Sequence, residues 1–126
     1  NVPVLQIPIF GDVWSDHVLF NGNEVSAILD FGAMKIESPC LDIARLFGSY
    51  ADYSVEALRR GISYYSEFRE LNDLELGLIE LYDRAYVLLA GIEWLVWVEI
   101  EQRVFVDNEA IRQRLQRLVR RCKAAI

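Results

Sequence analysis

Phe10-Gly11-Asp12-Val13-Trp14-Ser15-Asp16-His17-Val18-Leu19-Phe20, followed after a turn by Ile28-Leu29-Asp30-Phe31-Gly32, is the stretch whose reading decides the fold. It sets one aspartate on a polar loop, a residue able to ligate a few positions later, and a second aspartate at the end of the next apolar run. Val18-Leu19-Phe20 and Val25-Ser26-Ala27-Ile28-Leu29 flank Asn21-Gly22-Asn23-Glu24, a hairpin signal because Asn and Gly tolerate the positive φ of tight turns. Such a hairpin folds the chain back and is expected to bring Asp12, His17 and Asp30 to one cleft. Phosphoryl transfer needs a carboxylate that accepts the proton of the attacking hydroxyl and oxygen ligands for the divalent metal on the phosphates. Asp12 is the candidate base and Asp30 the candidate metal ligand.

Gly11-Asp12, Val18-Leu19-Phe20, Asp30-Phe31-Gly32 and Pro39-Cys40-Leu41-Asp42-Ile43-Ala44 follow one another in a fixed order. Over residues 8–48 this order resembles the aminoglycoside phosphotransferase and choline kinase family, small-molecule kinases with a protein-kinase-like fold. The resemblance implies transfer of a phosphoryl group from ATP, with Mg2+, to a hydroxyl of a small molecule. It implies that Asp12 orients and deprotonates that hydroxyl, that Asp30 holds magnesium, that His17 assists metal or phosphate, and that Asp42 supports the loop through backbone amides. Taken without the resemblance, Asp42 is equally an acid placed favourably near a helix N-terminus.

Two residues depart from the family's pattern. Phe10 stands where a His usually precedes Gly-Asp, and His17 where an Asn usually follows. Imidazole nitrogen suits zinc, copper, nickel or iron better than magnesium, so the alternatives for His17 are a bond to Asp12, a bond to phosphate, or simply tying down the loop. The same departures carry a second reading, a degenerate non-catalytic lobe serving as a protein-interaction module.

The chain has 126 residues, 53% hydrophobic and 25% charged, a globular composition of single-domain size. No glycine-rich phosphate loop or Walker pattern occurs in it. The expectation is therefore the C-terminal, catalytic-loop lobe (residues 1–126) of a kinase-like phosphotransferase, without its N-terminal nucleotide-binding lobe and inactive by itself. The net charge of −6 argues against nucleic acid as partner. It is uneven, net −10 over residues 1–106 and +4 over 107–126, which is compatible with an amine-bearing acceptor. Cys40 and Cys122 lie far apart without a CxxC spacing, and no signal peptide is present, so a cytoplasmic setting is expected.

The fold expected is α+β, mostly α: a short β-hairpin bearing the catalytic loop, packed on about four helices. Val2 to Ile9, with Pro3 and Pro8, reads as an extended or edge segment whose apolar surface could pair two copies in a homodimer. Ala33 to Ser38 reads as a connector and Pro39 to about Phe47 as a helix stopped by Gly48. Asp52 or Ser54 caps a helix with Val55, Leu58, Ile62, Tyr65, Phe68 and Leu71 on one face. A domain boundary is expected near residue 50. A helix over about 74–103 contains a nearly continuous apolar run, Ala85 to Trp97, too short to span a membrane, and is expected to be wholly buried. Inside it, Glu93 is either an acid facing the acceptor or one paired with Arg84 or Arg59, and Trp94 and Trp97 are either core or a wall for a quaternary amine. Asp107 caps a last helix with Ile111, Leu115, Leu118, Val119 and Cys122 inward and the arginines outward.

Overall fold

The computed structural model describes residues 4–50 and 54–125. Elements run β1 (Ile7–Ile9), a single 3-10 turn (Ser15–His17), β2 (Val18–Asn21), β3 (Glu24–Ile28), β4 (Lys35–Glu37), α1 (Pro39–Tyr50), α2 (Val55–Ser66), α3 (Asp73–Leu95), a π-helical segment (Val96–Ile100) and α4 (Asn108–Ala125). The class is α+β with helix dominant, as the sequence predicts.

The hairpin β2–β3 closes over Gly22 at φ +61 with Asn21 opposite Glu24, and its register shifts between Leu19 and Phe20. The stretch expected to be a connector, Ala33 to Ser38, contains a strand. Lys35–Glu37 pairs antiparallel with Ile7–Ile9, which gives the otherwise unpaired backbone of β1 a partner despite Pro8. Val2 and Pro3 lie outside the described residues.

Helix α1 does not stop at Gly48 but runs on to Tyr50. Gly48 is buried, and a Cβ there would stand 2.7 Å from Asp83 Oδ1; its role is close approach, not termination. Ser54 caps α2, its hydroxyl accepting the Ala57 N–H at 3.4 Å, while Asp52, the other predicted cap, lies outside the described residues. The helix ends at Ser66, leaving Phe68 in the following turn 90% exposed. Asn72 and Glu75 then cap α3 reciprocally: Asn72 Oδ1 accepts the Glu75 N–H at 3.0 Å and Glu75 Oε2 accepts the Asn72 N–H at 3.1 Å. Glu75 is buried and ion-paired with Arg69.

The chain divides into two compact units, Asn1–Asp83 and Arg84–Ile126, so the boundary falls inside α3 and not near residue 50. Residues beyond 50 stay with the strands because α1 packs on α2, on β1 and on the 3-10 turn. The first unit has its core at Cys40, Ile43, Ala44, Leu71 and Ile79, with Phe47, Ile62 and Tyr65 against it. In the second, Val87, Trp94 and Leu118 are buried and the Cys122 thiol donates to the Val87 carbonyl at 3.8 Å. The apolar run is not enclosed as predicted: Leu88, Leu89, Ile92 and Leu95 are exposed. The π-helical segment ends the helical run near Ile100, and Gln102 turns the chain with φ +48. Asp107 caps α4, accepting the Ala110 N–H at 2.9 Å. Within α4 the expected sides are partly exchanged, for Arg121 is buried and Val119 exposed. Among the described residues no helix is long and apolar enough to cross a membrane.

Candidate catalytic loop

The loop between β1 and β2 is held residue by residue from one face of α1. Asp42, Arg45 and Ser49 recur at steps of three and four and so lie on one side of the helix. Asp42 Oδ2 accepts the Phe10 N–H at 2.7 Å and its Oδ1 the Gly11 N–H at 2.9 Å. Arg45 Nε donates to Asp12 Oδ1 at 3.3 Å. The Ser49 hydroxyl accepts the Ser15 N–H at 2.8 Å and donates to the Leu46 carbonyl at 2.7 Å. Burial raises the Asp42 carboxyl above the usual aspartate value; the two amide bonds oppose this without cancelling it.

Gly11 is required by space as well as angle. Its φ is +80, and a Cβ would meet the Ala33 carbonyl oxygen at 2.2 Å. Through this approach the loop before Asp12 touches the segment after Asp30. Two further contacts join the same segments: the Leu29 N–H donates to the His17 carbonyl at 2.8 Å, and the Phe10 and Phe31 rings lie 5.6 Å apart. The hairpin thus sets the stretches carrying Asp12 and Asp30 side by side.

The Asp12 side chain is 47% exposed, and the bond it accepts from Arg45 goes to Oδ1. His17 is engaged at both ring nitrogens. The Trp14 indole N–H, which can only donate, gives its hydrogen to Nε2 at 2.8 Å, so Nδ1 carries the ring hydrogen and donates it to the Asp12 carbonyl at 2.9 Å. The ring therefore braces the loop from inside, one of the alternatives open from the sequence. Asp30 is exposed at φ +60, in the left-handed region, and its Oδ1 accepts the Gly32 N–H at 3.2 Å, a local turn that fixes the carboxylate.

Among the described residues no group of three or more His, Cys, Asp and Glu is placed to hold a metal ion. Magnesium that travels with a nucleotide takes only one or two protein carboxylates and completes its shell from phosphates and water. The exposed hard oxygens of Asp30 fit that requirement, whereas His17 offers nitrogen that the loop already uses.

Arg45, Ser49 and Trp14 escaped the sequence reading. The spacing of 42, 45 and 49 was the available signal; what it lacked was the loop lying on that face. In the second unit Glu93 is exposed. Trp94 and Trp97 pack edge to face at 5.0 Å, with Arg114 5.6 Å from the first ring and Arg103 4.7 Å from the second. The chain's own guanidinium groups occupy those rings.

A family model described as the phosphotransferase enzyme family matches residues 4–76, a span that includes Asp12, His17, Asp30 and Asp42. No curated protein matches the chain significantly.

Proposed function

The chain belongs to the phosphotransferase enzyme family, and from that premise we propose that it is the catalytic-loop lobe of an ATP-dependent kinase acting on a hydroxyl of a small molecule. The observation that carries the proposal is a half-exposed carboxylate, Asp12, on a loop whose backbone is gripped at Phe10 and Gly11 by Asp42. General bases act at fixed distance from the proton they take, so a stiff loop under an accessible carboxylate suits that role. Asp12 orients the acceptor hydroxyl and receives its proton; Asp42 keeps the loop from drifting. Asp30 is the residue that would hold magnesium, whose chemistry when bound is to neutralise charge on the phosphate oxygens. His17 contributes by bracing the loop. The nucleotide's remaining contacts come from an N-terminal lobe of the parent protein, and the 126 residues alone are expected to be inactive.

The test is phosphoryl transfer by the parent protein. Asp12→Ala should abolish it with folding intact, and wild-type turnover in that variant would remove Asp12 from the mechanism. The second reading, a non-catalytic interaction module, is favoured by Phe10 and by the engagement of both His17 nitrogens within the loop. Calorimetric titration of the parent with ATP and magnesium separates the two: no binding selects the module.

A further inference from the structure

Four side chains close a ring on Asp12. From its Oδ1 the path runs 3.3 Å to Arg45 Nε, then from the Arg45 guanidinium 5.7 Å to the centre of the Trp14 ring. It continues 2.8 Å from Trp14 Nε1 to His17 Nε2, and 2.9 Å from His17 Nδ1 back to the carbonyl oxygen of Asp12. We propose that Arg45 and Trp14 are positioning residues for the Asp12 carboxylate, committing one oxygen to the guanidinium and thereby aiming the other at the acceptor. The purpose assigned to the ring rests on the reading of Asp12 as base.

Each link is weak by itself. The Arg45–Asp12 pair is part-exposed, with side chains 29% and 47% accessible, and such pairs count for little in water. Closure changes this for the supporting side chains: Arg45, Trp14 and His17 each make two of the contacts, so none of them can turn without breaking both, and the Asp12 carboxylate meets a guanidinium held in place. The planar guanidinium, its carbon 5.7 Å from the indole centre, directs its N–H groups in fixed directions, which an ammonium cannot do. The indole is tethered by its own N–H, and the imidazole that receives it hangs from the backbone of the residue being positioned. A carboxylate left free would sample other rotamers, and displacement of a reacting group by roughly 1 Å costs on the order of 100-fold in rate.

Coupling between Trp14 and Asp12 distinguishes a positioning ring from an incidental surface ion pair. In nitrogen-15 NMR of the 126-residue chain, the Arg45 Nε–H signal is assigned by its loss in Arg45→Lys. It should exchange with water about tenfold more slowly than the signals of the exposed arginines, the ratio one net hydrogen bond gives. Trp14→Leu, which leaves the carboxylate untouched, should return it to their rate. Protection of the Phe10 and Gly11 amides reports whether the loop is still folded. If the loop melts in that variant, Trp14→Phe decides, keeping an aromatic face but removing the tether. An Arg45 signal unchanged by opening the ring overturns the proposal.

In the parent protein assayed with MgATP, Arg45→Met should lower kcat by about 10- to 100-fold with KM for ATP unchanged, and Arg45→Lys should restore only part. Unaltered kcat in Arg45→Met, beside a lost NMR signature, overturns positioning and leaves the phosphotransferase reading standing. A wild-type parent without turnover overturns that reading, and with it the purpose of the ring.

Discussion

Replacing Gly11 by alanine should uncouple the loop from α1. An alanine Cβ would stand 2.2 Å from the Ala33 carbonyl oxygen, whereas ordinary contact begins at 3.4 Å, so the backbone must retreat by roughly 1.2 Å. The hydrogen bonds from Phe10 and Gly11 to Asp42 are 2.7 and 2.9 Å long, and a shift of that size carries them beyond the ~3.2 Å at which such bonds hold. Each bond to a charged acceptor contributes about 1.5–3 kcal/mol, and a left-handed φ adds about 1–2 kcal/mol of strain once a Cβ is present. Water reaches part of this loop and recovers some of the loss, so about 3–5 kcal/mol is expected, a large share of the ~5–15 kcal/mol that holds a typical domain together. Urea unfolding gives the energy, and amide hydrogen exchange at Phe10 and Gly11 locates it. A loss under about 1 kcal/mol with both amides still protected would refute the reasoning.

Gly77 and Gly61 should respond in opposite directions to the same change. Nothing lies within 4 Å of a Cβ at Gly77 in α3, so Gly77→Ala should stabilise by about 0.5–1 kcal/mol through helix propensity; in α2 a Cβ on Gly61 would strike the Phe47 ring at 2.6 Å, and Gly61→Ala should destabilise by about 1–3 kcal/mol. Thermal melting of the two variants checks both signs. Asp42→Asn should cost about 1–3 kcal/mol, because the amide can accept one of the two loop N–H groups but turns a donor on the other; loss of exchange protection at Phe10 or Gly11 would be the sign. Glu75 supplies the pH dependence: burial pushes its carboxyl up, but the hydrogen bond and charge of Arg69 and the Asn72 N–H outweigh this and hold it below 4.5. The folded state then binds fewer protons than the unfolded chain, so the contribution is complete above about pH 4.5 and fades as pH falls from there toward the folded value. The stability gap between wild type and Glu75→Gln should be flat near neutrality and shrink on acidification; a gap independent of pH would sink the assignment.

Where the sequence states local chemistry, it was readable. Asn21-Gly22-Asn23-Glu24 announced the hairpin, and Ser54 and Asp107 announced helix starts, because turns and caps are decided by neighbours within a few residues. Asp42 and its grip on the loop amides were legible only through the order of motifs, since nothing local ties residue 42 to residue 10. Lys35–Glu37 was missed because a three-residue strand earns its identity from its partner, β1, and not from its own composition. Gly48 misled for a related reason: glycine ends helices and also admits close neighbours, and only Asp83 reveals which applies. Arg45 and Trp14 carried no assignment from the sequence, because only the fold brings the guanidinium of one to the ring of the other.

Asp42 grips main-chain N–H groups, which every amino acid but proline carries. The grip of Asp42 on residue 10 is thereby independent of the side chain there, whose ring instead packs 5.6 Å from that of Phe31. Mutational scanning of this position should find proline the one residue that breaks the grip itself, because it removes the N–H, and other changes costly only through the lost contact with Phe31.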